Sequence, residues 1–235
     1  MENQKVVVIG GSEGIGLAVA KGARALGADV LIVSRNPSKL EAARIAVPGL
    51  TTHAADINNR SELASVFARL DHLDHVYVSA GSTKVGTPLE QDLSQFEAPF
   101  NERVWGSVEV VRAAHSRMRP GGSFTFTGGL SSDRPVKGAW VSGIATAAAE
   151  QLARVLALEL APLRFNAIAP GWTDTPMWDR IFGNQKAETL QKVVSRHPIP
   201  RIVTADEVAS AVTFLMQNKA ITGEVIHIDC GARLV

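Results

Sequence analysis

The sequence predicts an α/β protein built on a doubly wound parallel sheet, and two observations lead to this prediction. Short apolar runs, several of them rich in β-branched residues, alternate along the whole chain with longer segments of helical periodicity. Most of these runs stop at glycine, proline, serine or aspartate, the residues that favour turns. The alternation indicates βαβ units, whose right-handed crossovers bring the carboxyl ends of the strands to one edge of the sheet. We therefore expect a ligand site at that edge.

Each predicted element has a local cause. Val6–Ile9 is predicted as a strand buried on both faces, because its four residues are all apolar and β-branched. The glycines that follow open a helix through Leu26, and Pro37 begins another, which Pro48-Gly49 stops. The later predicted strands are 30–33, 51–54, 73–79, 123–127, 163–169 and 225–228, and the later predicted helices are about 61–70, 141–161 and 205–217.

Two further segments have less regular patterns. Residues 93–118 carry one apolar stripe and are predicted as a long helical region that could break at Pro99 and that ends at Pro120-Gly121-Gly122. Residues 172–203, with several prolines near their far end, are predicted to form a mobile helical lid over a substrate.

Composition narrows the class of protein. The 235 residues fit one domain, 1–235, and a net charge of +1 gives no reason to expect a nucleic-acid or membrane partner. A single cysteine, Cys230, excludes an internal disulfide and fits a reducing compartment. No run approaches the ~18 apolar residues of a membrane span, and the first residues lack a signal-peptide pattern. We expect a cytoplasmic protein, and the six histidines show no spacing typical of a metal site.

The turn after the first strand has the spacing Gly10-x-x-x-Gly14-x-Gly16. Glycine permits backbone angles that a Cβ forbids and lets a helix N-terminus approach a phosphate, whose charge the amide groups favour. Alone, the turn could be an ordinary joint between a strand and a helix. Ser34-Arg35, Asp56, Ala80-Gly81 and Pro170-Gly171 also follow predicted strands, however, and this convergence favours a dinucleotide site.

At this point the sequence resembles the short-chain dehydrogenase/reductase family over nearly its full length. The resemblance rests on the glycine turn and on four further stretches: Ser79-Ala80-Gly81, where the family usually has Asn-Asn-Ala-Gly, Arg164–Gly171, Ile221-Thr222-Gly223 and Asp229-Cys230-Gly231. It implies a Rossmann-type, seven-stranded parallel sheet of order 3-2-1-4-5-6-7. The expected cofactor-binding residues are Gly10, Ser12, Glu13, Gly14, Ile15, Gly16, Ser34, Arg35, Asp56, Ile57, Ser79, Ala80, Gly81, Pro170, Gly171, Trp172, Thr173 and Thr175. Of these, Thr175 corresponds to the family's threonine that holds the nicotinamide carboxamide.

The end of the second strand favours NADP(H) as the cofactor. Folds of this kind that prefer NAD place a carboxylate there for the ribose 2′-hydroxyl, whereas this chain has Ser34 followed by Arg35. A guanidinium can pair with a 2′-phosphate, although Arg35 could instead be a solvated surface residue. Glu13 departs from the family, because NADP-preferring relatives often carry a base at its position.

The family's catalytic residues are not found at their expected positions. The resemblance implies a serine, a Tyr-x-x-x-Lys pair and an asparagine, and its register puts Gly129, Ser142, Thr146 and Arg103 at those four positions. The one tyrosine, Tyr77, falls inside the fourth strand. Weak candidates for a catalytic role are Arg103, Ser142, Thr146 and Trp140, and each could instead be a packing or helix-surface residue.

Two functions remain open from the sequence. The first is an NADP(H)-dependent oxidoreductase in which positioning supplies much of the rate, and in which the substrate is already protonated, such as an iminium ion, or water delivers the proton. The second is a catalytically silent NADP(H)-binding sensor or structural protein. The resemblance also implies a homodimer or homotetramer through the helices at 93–118 and 141–161.

Overall fold

A computed structural model describes residues 1–235 and contains one seven-stranded parallel sheet in the order β3-β2-β1-β4-β5-β6-β7, which confirms the predicted fold class and strand order. The central strand β1 pairs with β2 on one side and with β4 on the other, so that Val7 lies opposite both Leu31 and Val76. The strands are β1 Lys5–Ile9, β2 Asp29–Ser34, β3 Leu50–Ala54, β4 Leu73–Val78, β5 Met118–Thr127, β6 Arg164–Pro170 and β7 Val225–Ile228.

Helices cover both faces of this sheet. Several begin with a polar cap, as at Asn36 and Asn59, or with a proline in the first turn, as at Pro176. The helices are α1 Gly14–Ala25, α2 Pro37–Ala46, α3 Arg60–Ala68, α4 Glu97–Phe100, a π-helical turn Asn101–Trp105, α5 Gly106–Ala114, α6 Trp140–Glu159, α7 Pro176–Phe182, α8 Lys186–Val194 and α9 Ala205–Gln217.

The hydrophobic core has two halves, one on each face of the sheet. On one face, α3, α5 and α6 bury side chains such as Phe67 and Val110 against Phe124 and Phe165. The opposite half is formed by α1, α2 and α9, whose buried residues include Val19, Ala23, Leu40, Val212 and Leu215. Because strands between two helical layers are buried on both faces, they appear in the sequence as continuous apolar runs.

By length and composition alone, helix α6 could cross a membrane, although no such helix was predicted from the sequence. In the fold its small residues Ala145, Ala149 and Ala153 are buried and it packs against β6. This burial is the behaviour of a core helix.

The region 93–118 differs most from its prediction. It contains three helix types in succession and its last α-helix ends at Ala114. Met118 already belongs to β5, where it pairs with Leu73, and the expected stop Pro120-Gly121-Gly122 lies inside that strand. The pairing shifts register between Leu73 and His75, and Gly121 takes a positive φ of 79° there. A bulge absorbs the turn residues that the sequence suggested as a helix end.

Candidate active site

A cavity of about 710 Å³ opens at the carboxyl ends of the strands. Its wall comes from the β1–α1 turn, the ends of β2, β4, β5 and β6, the π-helical turn, the start of α6 and helix α7. The structure therefore brings together segments that are more than 100 residues apart in the sequence.

The glycine turn forms the floor of this cavity, and its geometry requires glycine. Gly10 has a φ of 83°, and a Cβ on it would lie 2.7 Å from the backbone nitrogen of Ala80. A Cβ on Gly16 would lie 2.2 Å from the carbonyl oxygen of Gly10. The first turn of α1 has no side-chain cap, because its N-cap residue Glu13 makes no capping hydrogen bond. The amide groups at this helix start are left for an anion, and a pyrophosphate fits that donor set.

All but two of the predicted cofactor-binding residues line the cavity. Gly16 does not, because its role is to pack the start of α1 against Gly10. Asp56 does not either, although its neighbours Ala55 and Ile57 do. The carboxylate of Asp56 accepts a hydrogen bond from the Asn58 backbone at 2.9 Å, which fixes the loop instead.

Three cations, Arg35, Lys39 and Arg180, line this part of the cavity, and only Arg35 was predicted from the sequence. Arg35 is 64% exposed and lies 4.0 Å from Asp56. Lys39 of α2 and Arg180 of α7 each pair with Glu13 at 2.7 Å. Burial alone would raise the pKa of Glu13, but the hydrogen bonds from these two cations outweigh it and lower the pKa below its ordinary value. Glu13, which stands where a base was expected, therefore stays ionised, and its negative charge is balanced by Lys39 and Arg180.

The four positions that the resemblance assigned to catalysis lie on the cavity wall: Gly129, Ser142, Thr146 and Arg103. The hydroxyl of Thr146 is 2.9 Å from the carbonyl oxygen of Ser142 and 3.2 Å from the Ser131 hydroxyl. The Ser142 hydroxyl is buried and has no hydrogen-bond partner. None of these hydroxyls contacts a base that would activate it.

The single tyrosine lies inside the core. Tyr77 is fully buried in β4, its hydroxyl is 2.9 Å from that of Thr127, and burial raises its pKa to about 12. Trp140, predicted as a weak catalytic candidate, does not line the cavity. Its ring packs 5.3 Å from that of Phe96, because the first turn of α6 points this side chain away from the cavity and toward the segment before α4.

Comparison with known proteins decides the family. A family model described as Enoyl-(Acyl carrier protein) reductase matches residues 10–233. The short-chain dehydrogenase/reductase ATR9 of Stachybotrys chlorohalonatus is 32% identical over 100% of this chain and 98% of its own length. This chain belongs to the short-chain dehydrogenase/reductase family.

Other relatives span the whole chain as well. The human 3-oxoacyl-[acyl-carrier-protein] reductase is 29% identical and covers 97% of this chain and 97% of its own. Among solved structures, the MalC reductase/Diels-Alderase of Malbranchea aurantiaca is 26% identical with a TM-score of 0.93, covering 100% of this chain and 98% of its own. A small-chain dehydrogenase solved in complex with NADPH is 29% identical with a TM-score of 0.87, and each chain is covered completely.

In this short-chain dehydrogenase/reductase, Arg103 is held in an unusual way. It lies in the π-helical turn and is only 9% exposed. Its Nη1 donates to the carbonyl oxygen of Ser82 at 2.5 Å, while its Nε has no partner. Burial lowers the pKa of Arg103 and the neighbouring Glu102 opposes that effect, but a guanidinium stays charged in either case. π-Helical turns are frequent at functional sites.

The loop after β5 divides its polar residues between two sides. Ser131 and Lys137 line the cavity. Ser132 instead donates to buried Glu150 of α6 at 2.8 Å, and Asp133 pairs with His227 at 2.7 Å. Burial raises the pKa of Glu150, whose carboxylate also accepts from the Gly129 backbone at 3.1 Å. Glu150 therefore braces this loop from behind the cavity.

An aromatic wall, formed by Trp172, Trp178 and Phe182, lies along the cavity. Ring centroids are 4.5 Å apart between the two tryptophans and 5.5 Å apart between Trp178 and Phe182, and the rings are stacked. Trp178 donates its Nε1 hydrogen to the carbonyl oxygen of Thr173 at 2.8 Å, which fixes its ring. The sequence reading left open whether Trp172 lines the pocket or packs, and in the structure it does both. Trp178 and Phe182 were not predicted as site residues. Their i, i+4 spacing, which puts both side chains on one face of a helix, could have indicated them.

Proposed function

We propose that this protein is an NADP(H)-dependent oxidoreductase that transfers a hydride to or from a small organic molecule without a tyrosine acid. One observation carries the proposal. Gly129, Ser142 and Thr146 line the cavity where the family resemblance places serine, tyrosine and lysine, while Tyr77 is buried in the core.

The choice of NADP(H) is supported by charge at the end of β2. The Ser12 and Ser34 hydroxyls are 2.9 Å apart there, so no carboxylate stands where one would hold a ribose 2′-hydroxyl. Arg35 and Lys39 both line the cavity and can face a 2′-phosphate. The relative solved in complex with NADPH supports the same choice.

The other cofactor-binding residues have separate tasks. The uncapped amides at the start of α1 would bind the pyrophosphate, and Thr175 would hold the carboxamide, as the family's threonine does. A Cβ on Gly14 would lie 3.3 Å from the Thr175 side chain, so the glycine turn and the residue before α7 are in close contact. The bound cofactor supplies the hydride, and the protein positions it against the substrate.

Residues 172–203, which the sequence predicts as a lid, border the cavity through helix α7. Helix α7 supplies Trp178 and Phe182 of the aromatic wall, and its Arg180 pairs with Glu13 beside the glycine turn at 2.7 Å. We propose that this segment covers the substrate and excludes water from the hydride path.

Deuterium transfer tests this function. The protein is mixed with NADPH that carries deuterium at the reactive carbon of the nicotinamide, together with a panel of ketones, imines and enones. Deuterium appearing in a product is the expected result. NADPH binding without transfer to any of these compounds would instead favour a silent cofactor-binding protein.

A further inference from the structure

Arg103 is a buried cation that lacks a counter-ion. No carboxylate oxygen lies within 4.0 Å of its guanidinium, and its Nε is buried without any partner. The neighbouring carboxylate of Glu102 is engaged elsewhere, 3.5 Å from Arg35 and in a hydrogen bond with the Ser82 backbone. Buried charges in proteins are normally paired, because desolvation of an unpaired ion is costly. An anionic oxygen from a ligand would complete this site.

The position of this guanidinium is fixed. A Cβ on Gly81 would lie 2.7 Å from Cζ of Arg103, so glycine at the end of β4 is what admits the side chain. The carbonyl oxygen of Ser82 accepts from Nη1 on one side, and the Pro99 carbonyl is 3.5 Å away. A cation held in this way stabilises a developing negative charge without reorganising, which is the requirement for an oxyanion site.

Two further donors without partners line the same cavity. They are the hydroxyls of Ser82 and Ser142, both buried and both without a hydrogen bond. Together with Nε of Arg103 they form a set of donors with no acceptor in the protein. Buried hydroxyls are normally satisfied, so this set also indicates an oxygen-bearing ligand.

The aromatic wall indicates what the apolar part of the ligand is. Trp172, Trp178 and Phe182 are stacked and only half-buried, so apolar ring surface remains open to the cavity. Met177 and Ile181 of α7 also line the cavity. Flat aromatic surface packs best against another flat ring system.

We propose that the substrate is a planar aryl enone, bound with its carbonyl oxygen at Arg103 and its ring against the aromatic wall. This inference rests on the proposed hydride transfer and deepens it. It makes Arg103 a catalytic residue, because its guanidinium contacts the oxygen on which charge develops.

The electron balance explains why a tyrosine is dispensable for such a substrate. The hydride adds to the β-carbon, the alkene electron pair becomes the C=C bond of an enolate, and the carbonyl electron pair moves onto the oxygen facing Arg103. Water then protonates the α-carbon, giving the saturated ketone and NADP⁺. An enolate is a much weaker base than the alkoxide formed from a simple ketone, so electrostatic stabilisation suffices where an alkoxide would need a proton. The same cation would repel an iminium substrate.

The test compares three substrates of one size in the wild-type protein. These are trans-4-phenyl-3-buten-2-one, its saturated analogue 4-phenyl-2-butanone, and the 3,4-dihydroisoquinolinium ion. NADPH oxidation with the enone is expected to be at least ~100-fold faster than with the ketone, because only the ketone needs the proton donor that the site lacks, and a positioned acid typically contributes about 10²–10⁴-fold. The iminium ion is expected to be as slow as the ketone, because Arg103 repels its charge. A protein that binds NADPH but prefers the ketone or the iminium ion overturns the enone assignment and leaves the proposed function standing. Failure to bind NADPH would instead reject the proposed function.

Variants then test the two contacts. Arg103→Gln is expected to lower kcat/KM for the enone by ~100-fold with NADPH affinity unchanged. Arg103→Lys keeps the positive charge but loses the paired donors of the guanidinium, so a ~10-fold loss is expected. Phe182→Leu should mainly raise KM.

Arg154→Gln on the exposed side of α6 and Phe214→Leu on α9 are the matched controls and should behave as wild type. Equal rates in Arg103→Gln and wild type would overturn the assignment. If Arg103→Gln does not fold, the Arg103→Lys variant and the substrate preference of the wild type still decide it.

Discussion

Nη1 of Arg35 lies 3.5 Å from Oε1 of Glu102, so a surface cation at the end of β2 is held by a carboxylate that is only 5% exposed. The two residues come from segments far apart in the sequence, one following β2 and the other in the π-helical turn. Glu102 thus holds the Arg35 guanidinium at the cavity wall, where a phosphate can reach its remaining donors.

Arg35→Asp should weaken NADPH binding by roughly 10- to 100-fold, the worth of a charge-assisted hydrogen bond, and change NADH binding much less. The reason is that only NADPH carries the 2′-phosphate that the guanidinium would contact. Titrations of the purified variant with each nucleotide, followed by nicotinamide fluorescence, measure both affinities. Arg44→Asp in α2 is the matched control, because Arg44 pairs with Glu41 and does not line the cavity. Equal losses for both nucleotides in Arg35→Asp would rule out the 2′-phosphate contact.

Installing the family's serine, tyrosine and lysine at the positions that the resemblance assigns should create a tyrosine acid in the cavity. We expect the triple variant Gly129→Ser, Ser142→Tyr, Thr146→Lys to gain weak reduction of simple ketones. A Cβ on Gly129 would lie 3.1 Å from the Thr146 methyl group, and lysine at 146 removes that branch, so the changes are compatible. NADPH oxidation with 4-phenyl-2-butanone measures the gain, and Gly129→Ser alone is the control. A folded, NADPH-binding triple variant without activity would contradict the assigned register.

Gly10→Ala should destabilise the fold more than Gly121→Ala. Both glycines have a positive φ, 83° and 79°, so both substitutions carry the backbone strain of about 1 kcal/mol. Only at Gly10 would the new Cβ also meet backbone atoms, 2.7 Å from the Ala80 nitrogen, whereas Gly121 has nothing within 4 Å. An additional ~1–3 kcal/mol is therefore expected for Gly10→Ala. Urea unfolding measures the difference, and equal destabilisation would show that the close approach to Ala80 is unimportant.

The sequence predicts most of the strands and helices, and fewer of the contacts within the candidate site. Continuous apolar runs such as Val6–Ile9 require burial between two helical layers, so the parallel sheet follows from local pattern. Its strand order was implied by the family resemblance, and the structure confirms it. The family resemblance supplied the register for Ser142 and Thr146, and both residues line the cavity.

Long-range pairings could not be predicted in this way. The contacts of Glu102 with Arg35 and of Glu13 with Arg180 depend on how distant segments meet. The sequence left open whether Trp140 lines the pocket or packs, because its contact with Phe96 joins two segments that are distant in the chain. The end of α5 was misjudged because Pro120 and its two glycines suit a strand bulge as well as a helix end.

Stability should fall as the pH drops from 6.5 toward 4 because of His75. Burial lowers the pKa of this histidine from 6.5 to about 4, while Asp74 opposes that effect and Arg164 and the N-terminus add to it. The folded protein keeps His75 neutral, and the unfolded chain binds a proton below 6.5, so the contribution is complete above that pH and is lost below it.

Comparison of wild type with His75→Asn isolates this effect, because asparagine can still bond to Ser123 but does not titrate. The free energy of unfolding of the wild type should decline by up to about 3 kcal/mol more than that of the variant over this interval. His115→Asn, at an exposed position, should follow the wild type. Parallel curves for wild type and His75→Asn would contradict the assignment.

We propose that two or four copies assemble through α5 and α6. The exposed apolar residues Ile144 and Leu158 of α6 and Trp105 beside α5 support this, with Leu158 84% exposed. Leu158→Glu should reduce the solution mass measured by light scattering. Leu89→Glu, at a loop position that is 88% exposed, is the control and should not change it. A monomeric wild type, or an unchanged mass in Leu158→Glu, would remove α6 as the interface.

Paired titration of the wild-type protein with NADPH and NADH, followed by nicotinamide fluorescence, tests the central claim most directly. The glycine turn with its uncapped amides, together with Arg35 and Lys39 on the cavity wall, predicts tight NADPH binding and much weaker NADH binding. If neither nucleotide binds, the cavity is not a dinucleotide site and the proposed hydride transfer is wrong.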